Sequence, residues 1–220
     1  MTLVERAGAH AALGDPRRLL IADHLALSDY TVADLAELSG MRGNLLAHHL
    51  DVLESAGLIE RRVSEGDRRH KYITLRLDRL PSGLGHTATI SGDIVFVCTH
   101  NSARSQFAAA LWKERVGGVA ESAGSHPSKI VHPKAVRVAA EYGIDISDAR
   151  PAGYEQVSIS PSLVVSVCDR AYEEGVPAAT RHLHWSVPDP VTSGSLSAFR
   201  RAFAEIAERV DRLATGNGAV

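Results

Sequence analysis

The sequence predicts an α/β protein in two parts: a mostly α N-terminal region with a β-hairpin, and a C-terminal region built on four parallel strands with helices between them. Three observations predict it. Residues 9–57 carry apolar side chains at helical spacing and then give way to two short strand-like runs around Gly66-Asp67. Beyond residue 92, charge-poor apolar runs alternate with helical patterns, the signature of strand–helix–strand units. Between the two parts, Pro81-Ser82-Gly83-Leu84-Gly85 and Ser91-Gly92 break both periods.

In the first part, Ala9 to Leu27 is a helical pattern through Leu13, Leu19, Leu20, Ala22 and Leu25, with Asp15-Pro16 as a cap and first turn. Thr31 and Asp34 stand in capping-box relation, Asp in place of the usual Glu, and open a second helix that stops at Gly40. A third helix runs from about Asn44 to Ser55 and closes at Gly57, because glycine accepts the backbone of a helix end. Leu58–Val63 and Lys71–Leu75 follow as two strands. Helix, turn, helix and a two-stranded wing make a winged helix-turn-helix, a layout that reads double-stranded DNA. From Arg61 to Lys71 five basic residues (Arg61, Arg62, Arg68, Arg69, Lys71) stand against two acidic ones, which is where phosphate contacts would form. Arg42, Asn44, His48 and His49, on or just before the third helix, are the candidates for base edges.

In the second part, Asp93–Val97 reads as a buried strand and Gln106–Lys113 as a helix. Val119–Gly124 is a second strand, Pro133–Tyr142 a helix closed by Gly143, Leu163–Val167 a third strand and His182–Trp185 a short fourth. The last helix, Leu196 to Leu213, lines up Phe199, Phe203, Ile206, Val210 and Leu213 on one stripe. The expected boundaries are 1–80 for the first domain, 81–91 for a linker, 92–214 for the second domain and 215–220 for a loose tail.

The chemistry concentrates between the first strand of this second domain and its helix, in Cys98-Thr99-His100-Asn101-Ser102-Ala103-Arg104-Ser105. A strand, a tight loop and a helix N-terminus gather backbone N–H groups and the positive end of the helix dipole, so residues 99–104 form an oxyanion-binding loop. A thiolate at its mouth is a nucleophile. Arg104 can fold back and grip two oxygens of a tetrahedral oxyanion with its planar fork. Ser105 can donate to the sulfur, and Asn101 can brace the loop. In a parallel sheet ligands bind beyond the carboxyl ends of the strands, and Cys98, Cys168 and Asp189 all fall at that edge.

Composition bounds the rest. With 45% hydrophobic and 23% charged residues and a net charge of -2, the chain has no global basic field, so any nucleic-acid surface is a local patch. No apolar run approaches a bilayer span, and Met1–Arg6 lacks the basic-then-apolar order of a signal peptide. Two cysteines argue against a disulfide scaffold and for a cytoplasmic protein. The eleven histidines have no metal-ligand spacing, so no metal is expected, and His126, His132, His182 and His184 are expected to pack or hydrogen-bond.

Ala12–Leu19, Leu35–Gly40 and His49–Ile59 resemble the ArsR class of bacterial winged-helix repressors over about residues 9 to 77. That resemblance implies a homodimer, joined through the N-terminal domain, that regulates transcription by reading two DNA half-sites. Many members sense metals or metalloids through cysteines in the helix before the recognition helix. Here the matching stretch, Tyr30–Leu35, has none, which speaks against metalloid sensing at that position.

Cys98–Gln106, Ser122-Ala123-Gly124-Ser125, Gly143–Ser147 and Asp189-Pro190 resemble the low-molecular-weight tyrosine phosphatase fold over about residues 92 to 213. His132-Pro133, Val167-Cys168-Asp169 and His184–Pro190 are similar to its arsenate reductase branch. The likeness implies Cys98 as nucleophile, Arg104 as clamp, Ser105 as stabiliser of the thiolate, Asp189 as general acid, and Cys168 as the second cysteine that resolves the arsenic adduct. In thioredoxin-coupled members a third cysteine follows seven residues later, and here that position is Gly175. The expected reductant is therefore an external thiol, from a mycothiol, glutathione or thioredoxin system, with no bound cofactor. The resulting expectation is a bifunctional DNA-binding regulator and arsenate reductase. The alternatives are a low-molecular-weight protein tyrosine phosphatase, or a transcription factor whose phosphatase-like domain only senses an oxyanion.

Overall fold

A computed structural model describes residues 1–80 and 92–215. They form two compact units, the first built on the N-terminal residues and the second on the C-terminal ones. The expected linker 81–91 and all but the first residue of the expected tail lie outside the described residues.

The first unit opens with two helices over and before the pattern expected at Ala9–Leu27, and the cap and first turn expected at Asp15-Pro16 are present. Helix α1 (Leu3–Leu13) starts from a full Thr2/Glu5 capping box that the sequence reading missed, and α2 (Pro16–Leu25) is separate from it. The break has a local cause. The Asp15 carboxylate accepts from the N–H groups of Arg17 and Arg18, at 2.8 and 3.2 Å, and so begins a new helix. A two-residue strand β1 (Tyr30–Thr31) precedes α3 (Val32–Ser39), whose Thr31/Asp34 capping box is present as expected, with Gly40 left-handed at φ 66° as its stop. Helix α4 (Asn44–Ser55) leads into the antiparallel pair β2 (Ile59–Val63) and β3 (Lys71–Leu75), in register Arg61↔Ile73. Strand β1 joins the other edge of β3, so the hairpin is part of a three-stranded sheet. Leu35, Leu46, Leu50, Leu53, Ile21, Leu25 and Ile73 fill one core, each such side chain contributing about 1.5–3 kcal/mol by leaving water.

The second unit is a four-stranded parallel sheet in the order β5-β4-β6-β7, made of β4 (Ile94–Cys98), β5 (Ala120–Gly124), β6 (Leu163–Ser166) and β7 (Arg181–His184). All five residues of β4 are buried, as a charge-free central strand should be. Val95 and Val97 face a cluster with Ala123 and Val164, while Phe96 packs against Trp112 and Trp185, with centroids 6.3 and 5.9 Å away. Helix α5 (Arg104–Val116) packs on β4 and β5 and against the long α9 (Leu196–Thr215), which also covers α6 (Pro133–Glu141). The stripe expected on α9, Phe199, Phe203, Ile206, Val210 and Leu213, is buried throughout. Two short helices were not expected, α7 (Asp169–Glu174) after β6 and α8 (Pro190–Ser193) after β7, each beginning beside an expected site residue. At four to six residues, neither offers enough sequence for a periodic pattern.

Candidate active site

Strand β4 delivers Cys98 to the carboxyl edge of the sheet, and residues 99–103 carry the chain into α5. The loop carbonyls are used up on its outer side: Ser125 N–H donates to Cys98 O (3.2 Å), His126 to Thr99 (2.8 Å), Ser128 to His100 (2.9 Å) and His132 to Ser102 (2.8 Å). The N–H groups are then what the loop has left for an anion. Asn101 N–H already points at Cys98 Sγ, 3.2 Å away. Unlike α1, α2 and α3, helix α5 has no capping side chain at its start, where Ala103 stands; its first turn holds no acidic residue. Its unpaired N–H groups and positive dipole end therefore favour an anion from outside.

Asn101 is the brace of this loop, in more detail than the sequence suggested. It is the one described non-glycine residue with positive φ, at 47°, a conformation asparagine tolerates. Its Nδ2 donates to Ser105 Oγ at 2.8 Å, while its Oδ1 accepts from Ala152 N–H (2.9 Å) and from Gln106 Nε2 (3.0 Å). Because Ser105 Oγ accepts from Asn101, its own proton is free for Cys98 Sγ, which lies 3.1 Å away. A Cβ on Gly124, at the end of β5, would meet Thr99 O at 2.7 Å and Asn101 N at 3.0 Å, so the loop backbone needs glycine beneath it.

Arg104 is 5% exposed and holds its guanidinium through Val187 O (2.7 Å from Nη1) and Asp189 Oδ2 (3.2 Å from Nη2). Burial works against its charge, but Cys168, Asp189 and Cys98 more than restore it, and its pKa lies above the ordinary value. Asp189 caps α8, its Oδ1 accepting from Val191 N–H at 3.0 Å, which leaves Oδ2 to Arg104. Cys168 caps α7, with Ala171 N–H and Thr99 Oγ1 each 3.4 Å from Sγ. Burial pushes the Cys168 thiol up, and Cys98 adds to the rise, while Arg104, Thr99 and Ala171 pull it down without cancelling it. Cys98, Cys168 and Asp189, expected at one edge from their places at or just after strand ends, lie there with Arg104 and Ser105 from the start of α5.

Other loop residues are placed differently from their sequence roles. The Thr99 side chain turns to Cys168, and the exposed His100 sends its Nδ1 to His126 O at 3.0 Å. Their backbones, with Ser102 and Ala103, are what they bring to the loop.

Behind Cys168 lies polar wiring that no local sequence pattern announces. Buried His184 lies with Nε2 3.1 Å from Asp169 Oδ1 and Nδ1 2.8 Å from Ser166 Oγ, and Tyr172 stacks on its ring at 4.3 Å. Burial opposes the Asp169 charge, yet the hydrogen bonds from His184 and Ser186 hold its carboxyl below the usual range. His132 caps α6 through Lys134 N–H and packs on Phe199, so these two histidines are structural, as expected of them. Gly175, the position that holds a third cysteine in thioredoxin-coupled members by the resemblance above, ends α7 at φ 107°. No group of three or more potential metal ligands occurs among the described residues.

In the first unit, Arg42, Asn44, His48, Arg61, Arg68, Arg69 and Lys71 are exposed, and Arg62 is partly so. Arg61 is engaged by Asp51 (2.8 Å) and Glu54 (2.9 Å), and Arg62 by Glu60 (2.5 Å), so part of the expected basic patch is neutralised internally. His49 is corrected outright. It is 4% exposed, packed inside the unit with its Nδ1 4.0 Å from Asp15, and burial lowers its pKa, so it cannot reach a base edge.

Two family models match this chain. The family model described as low molecular weight phosphotyrosine protein phosphatase matches residues 93–217, and that of the bacterial regulatory protein, arsR family, matches residues 15–61. An arsenate reductase of Halalkalibacterium halodurans is 33% identical over 131 residues, covering 55% of this chain and 94% of that protein. A protein named glutaredoxin arsenate reductase, of Synechocystis, is 32% identical over 124 residues, covering 54% and 94%. Among solved structures, an arsenate reductase of Archaeoglobus fulgidus is similar with a TM-score of 0.50 and 31% identity, over 56% of this chain and 98% of that one.

Proposed function

The chain belongs to the low molecular weight phosphotyrosine protein phosphatase family and carries an ArsR-family helix-turn-helix, and from that premise we propose that it is an arsenate reductase joined to a DNA-binding regulator. We assign the two activities to residues 92–214 and 1–80. The observation that carries the reductase reading is the second cysteine. Cys168 stands 3.4 Å from Thr99 of the Cys98 loop and within the field of Arg104, a place where phosphate-ester hydrolysis needs no thiol.

In the proposed reaction, arsenate lies on the loop N–H groups and the Arg104 fork. The Cys98 thiolate attacks arsenic, an S–As bond forms, and one oxygen leaves as water with a proton from Asp189. Ser105 holds the thiolate before attack. The Cys168 thiolate then attacks Cys98 Sγ, so that an S–S bond forms as the S–As bond breaks. The bonding pair stays on arsenic, which falls from the pentavalent to the trivalent state as two thiols become one disulfide. An external thiol, from mycothiol, glutathione or a redoxin, reduces that disulfide, because Gly175 offers no third cysteine to carry it outward. The same external thiol could resolve the adduct directly, in which case Cys168 is dispensable.

For the first unit we propose a homodimer on double-stranded DNA, with Arg42, Asn44 and His48 at base edges and Arg68, Arg69 and Lys71 on phosphates, assisted by Arg61 and Arg62.

The deciding experiment is arsenate turnover against thioredoxin, glutathione and mycothiol systems, with Cys98→Ser and Cys168→Ala in parallel. Turnover with one system that vanishes in Cys98→Ser is the expected result. Hydrolysis of an aryl phosphate without arsenate turnover would replace this reading with a phosphatase. Neither activity, with oxyanion-dependent DNA binding, would leave a sensor.

A further inference from the structure

Arg104 carries a second carboxylate besides Asp189. Residues 65–67, which follow β2 in sequence, belong by their contacts to the second unit. There the Glu65 carboxylate accepts from Arg104 Nη1 at 3.2 Å. Both of its oxygens also accept from the Asp189 N–H, at 2.9 and 3.0 Å. The backbone around it is tied down as well: Glu65 N–H donates to Asp169 Oδ2 at 2.9 Å, and Asp67 N–H to Glu173 Oε2 at 2.6 Å. A Cβ on Gly66 would stand 3.0 Å from the Arg170 Cα, so glycine is what lets the segment lie this close.

The contact consumes what an oxyanion needs. Nη1 has two protons. One goes to Val187 O at 2.7 Å, a backbone group, and the other to Glu65. Nη2 is drawn to Asp189 at 3.2 Å. Nη1 therefore has no proton for a second anion until Glu65 gives one up. Charge acts in the same direction. Two carboxylates already face one guanidinium, and an anion arriving beside both would meet like charge on each side. Of the two, Glu65 is the one placed to leave: its side chain is 40% exposed against 22% for Asp189, so water can take over its hydrogen bonds.

We propose that Glu65 is an internal competitor for the oxyanion site, resting on Arg104 until a tetrahedral anion displaces it, a role that rests on the oxyanion site proposed above. The exchange makes and breaks no covalent bond. The incoming anion takes the Nη1 proton, and the Glu65 carboxylate passes to solvent. Loss of that anchor loosens the segment, so the Glu65 and Asp67 N–H groups open more often. By linkage the effect runs both ways: removing the carboxylate raises anion affinity by the factor that the anion raises opening.

The test uses the full chain and inorganic phosphate. Calorimetric titration gives the affinity, and amide exchange by mass spectrometry follows peptides that cover residues 64–68, with and without saturating phosphate. Glu65→Gln keeps the size of the side chain and removes its charge, and is expected to bind phosphate about tenfold tighter than wild type. In wild type, phosphate is expected to speed exchange at Glu65 and Asp67 by a similar factor. Unchanged or weaker affinity in Glu65→Gln overturns the proposal and leaves the oxyanion site standing. Exchange that phosphate does not alter does the same, because tighter binding alone could come from the lost charge without displacement. No phosphate binding by either protein overturns both the proposal and the oxyanion site.

Discussion

Arg104 and Asp189 are partners, Nη2 to Oδ2 at 3.2 Å, so the group assigned to grip an oxyanion and the group assigned to protonate its leaving oxygen hold each other in place. Asp189→Asn should lower kcat for arsenate by about 10²–10⁴. Inhibition by phosphate should stay the same or tighten, because one of the carboxylates paired with the guanidinium is gone. Turnover and phosphate inhibition measured on the same preparation check both halves.

Arg104→Lys keeps the charge but loses the planar fork and the shared grip on Val187 O and Asp189. Phosphate affinity should fall about tenfold or more, the worth of a charge-assisted hydrogen bond. Isothermal titration with phosphate reads this directly. An affinity equal to wild type would mean that the loop N–H groups bind the anion without help.

Ser105→Ala removes the hydroxyl 3.1 Å from Cys98 Sγ and leaves Asn101 Nδ2 without its acceptor. Alkylation of Cys98 by iodoacetamide at pH 7, followed by mass spectrometry, should slow about tenfold or more relative to wild type.

Asp169 supplies an acid limb to stability. Its folded pKa lies below the ordinary 3.8, so its contribution is fully present above that value and is lost as pH falls through the lower, folded one. Urea unfolding at pH 7 and pH 3.5 should therefore show a steeper loss in wild type than in Asp169→Asn. At pH 7 the variant should also be less stable by about 1–3 kcal/mol, because a neutral amide oxygen replaces the carboxylate opposite buried His184.

On DNA, Lys71→Ala should reduce the slope of log affinity against log salt by about 1. Arg61→Ala should reduce it less, because Arg61 is already paired with Asp51 and Glu54. His49→Ala should leave the slope alone and lower the melting temperature. A salt titration by fluorescence anisotropy separates the three.

What was legible in the sequence was what local chemistry determines. The Thr31/Asp34 box, the glycine stop at Gly40, the charge-free β4 and the α9 stripe each declare themselves within a few residues. Cys98 through Ser105 was legible because one loop and one helix end suffice to build it. What escaped depends on partners far along the chain. His49 is the exception: three residues after Leu46 and four before Leu53, it lies on the buried stripe of α4, and only its polar side chain points the sequence reading outward. Asp169, His184 and Ser166 come together because β6 and β7 pair in parallel, a register no window of sequence contains.

Asn101 fastens the loop by four contacts, with Gly124 beneath it, so the cradle is a finished object rather than one moulded around its guest. A finished cradle for a tetrahedral anion recognises shape and charge, and phosphate and arsenate share both. Discrimination between them then belongs to a later moment, whether the sulfur-bound centre can accept two electrons. On the proposed reductase chemistry, phosphate would be a reversible occupant and arsenate a committed one, and a large phosphate pool would slow this protein without ever being consumed by its thiols.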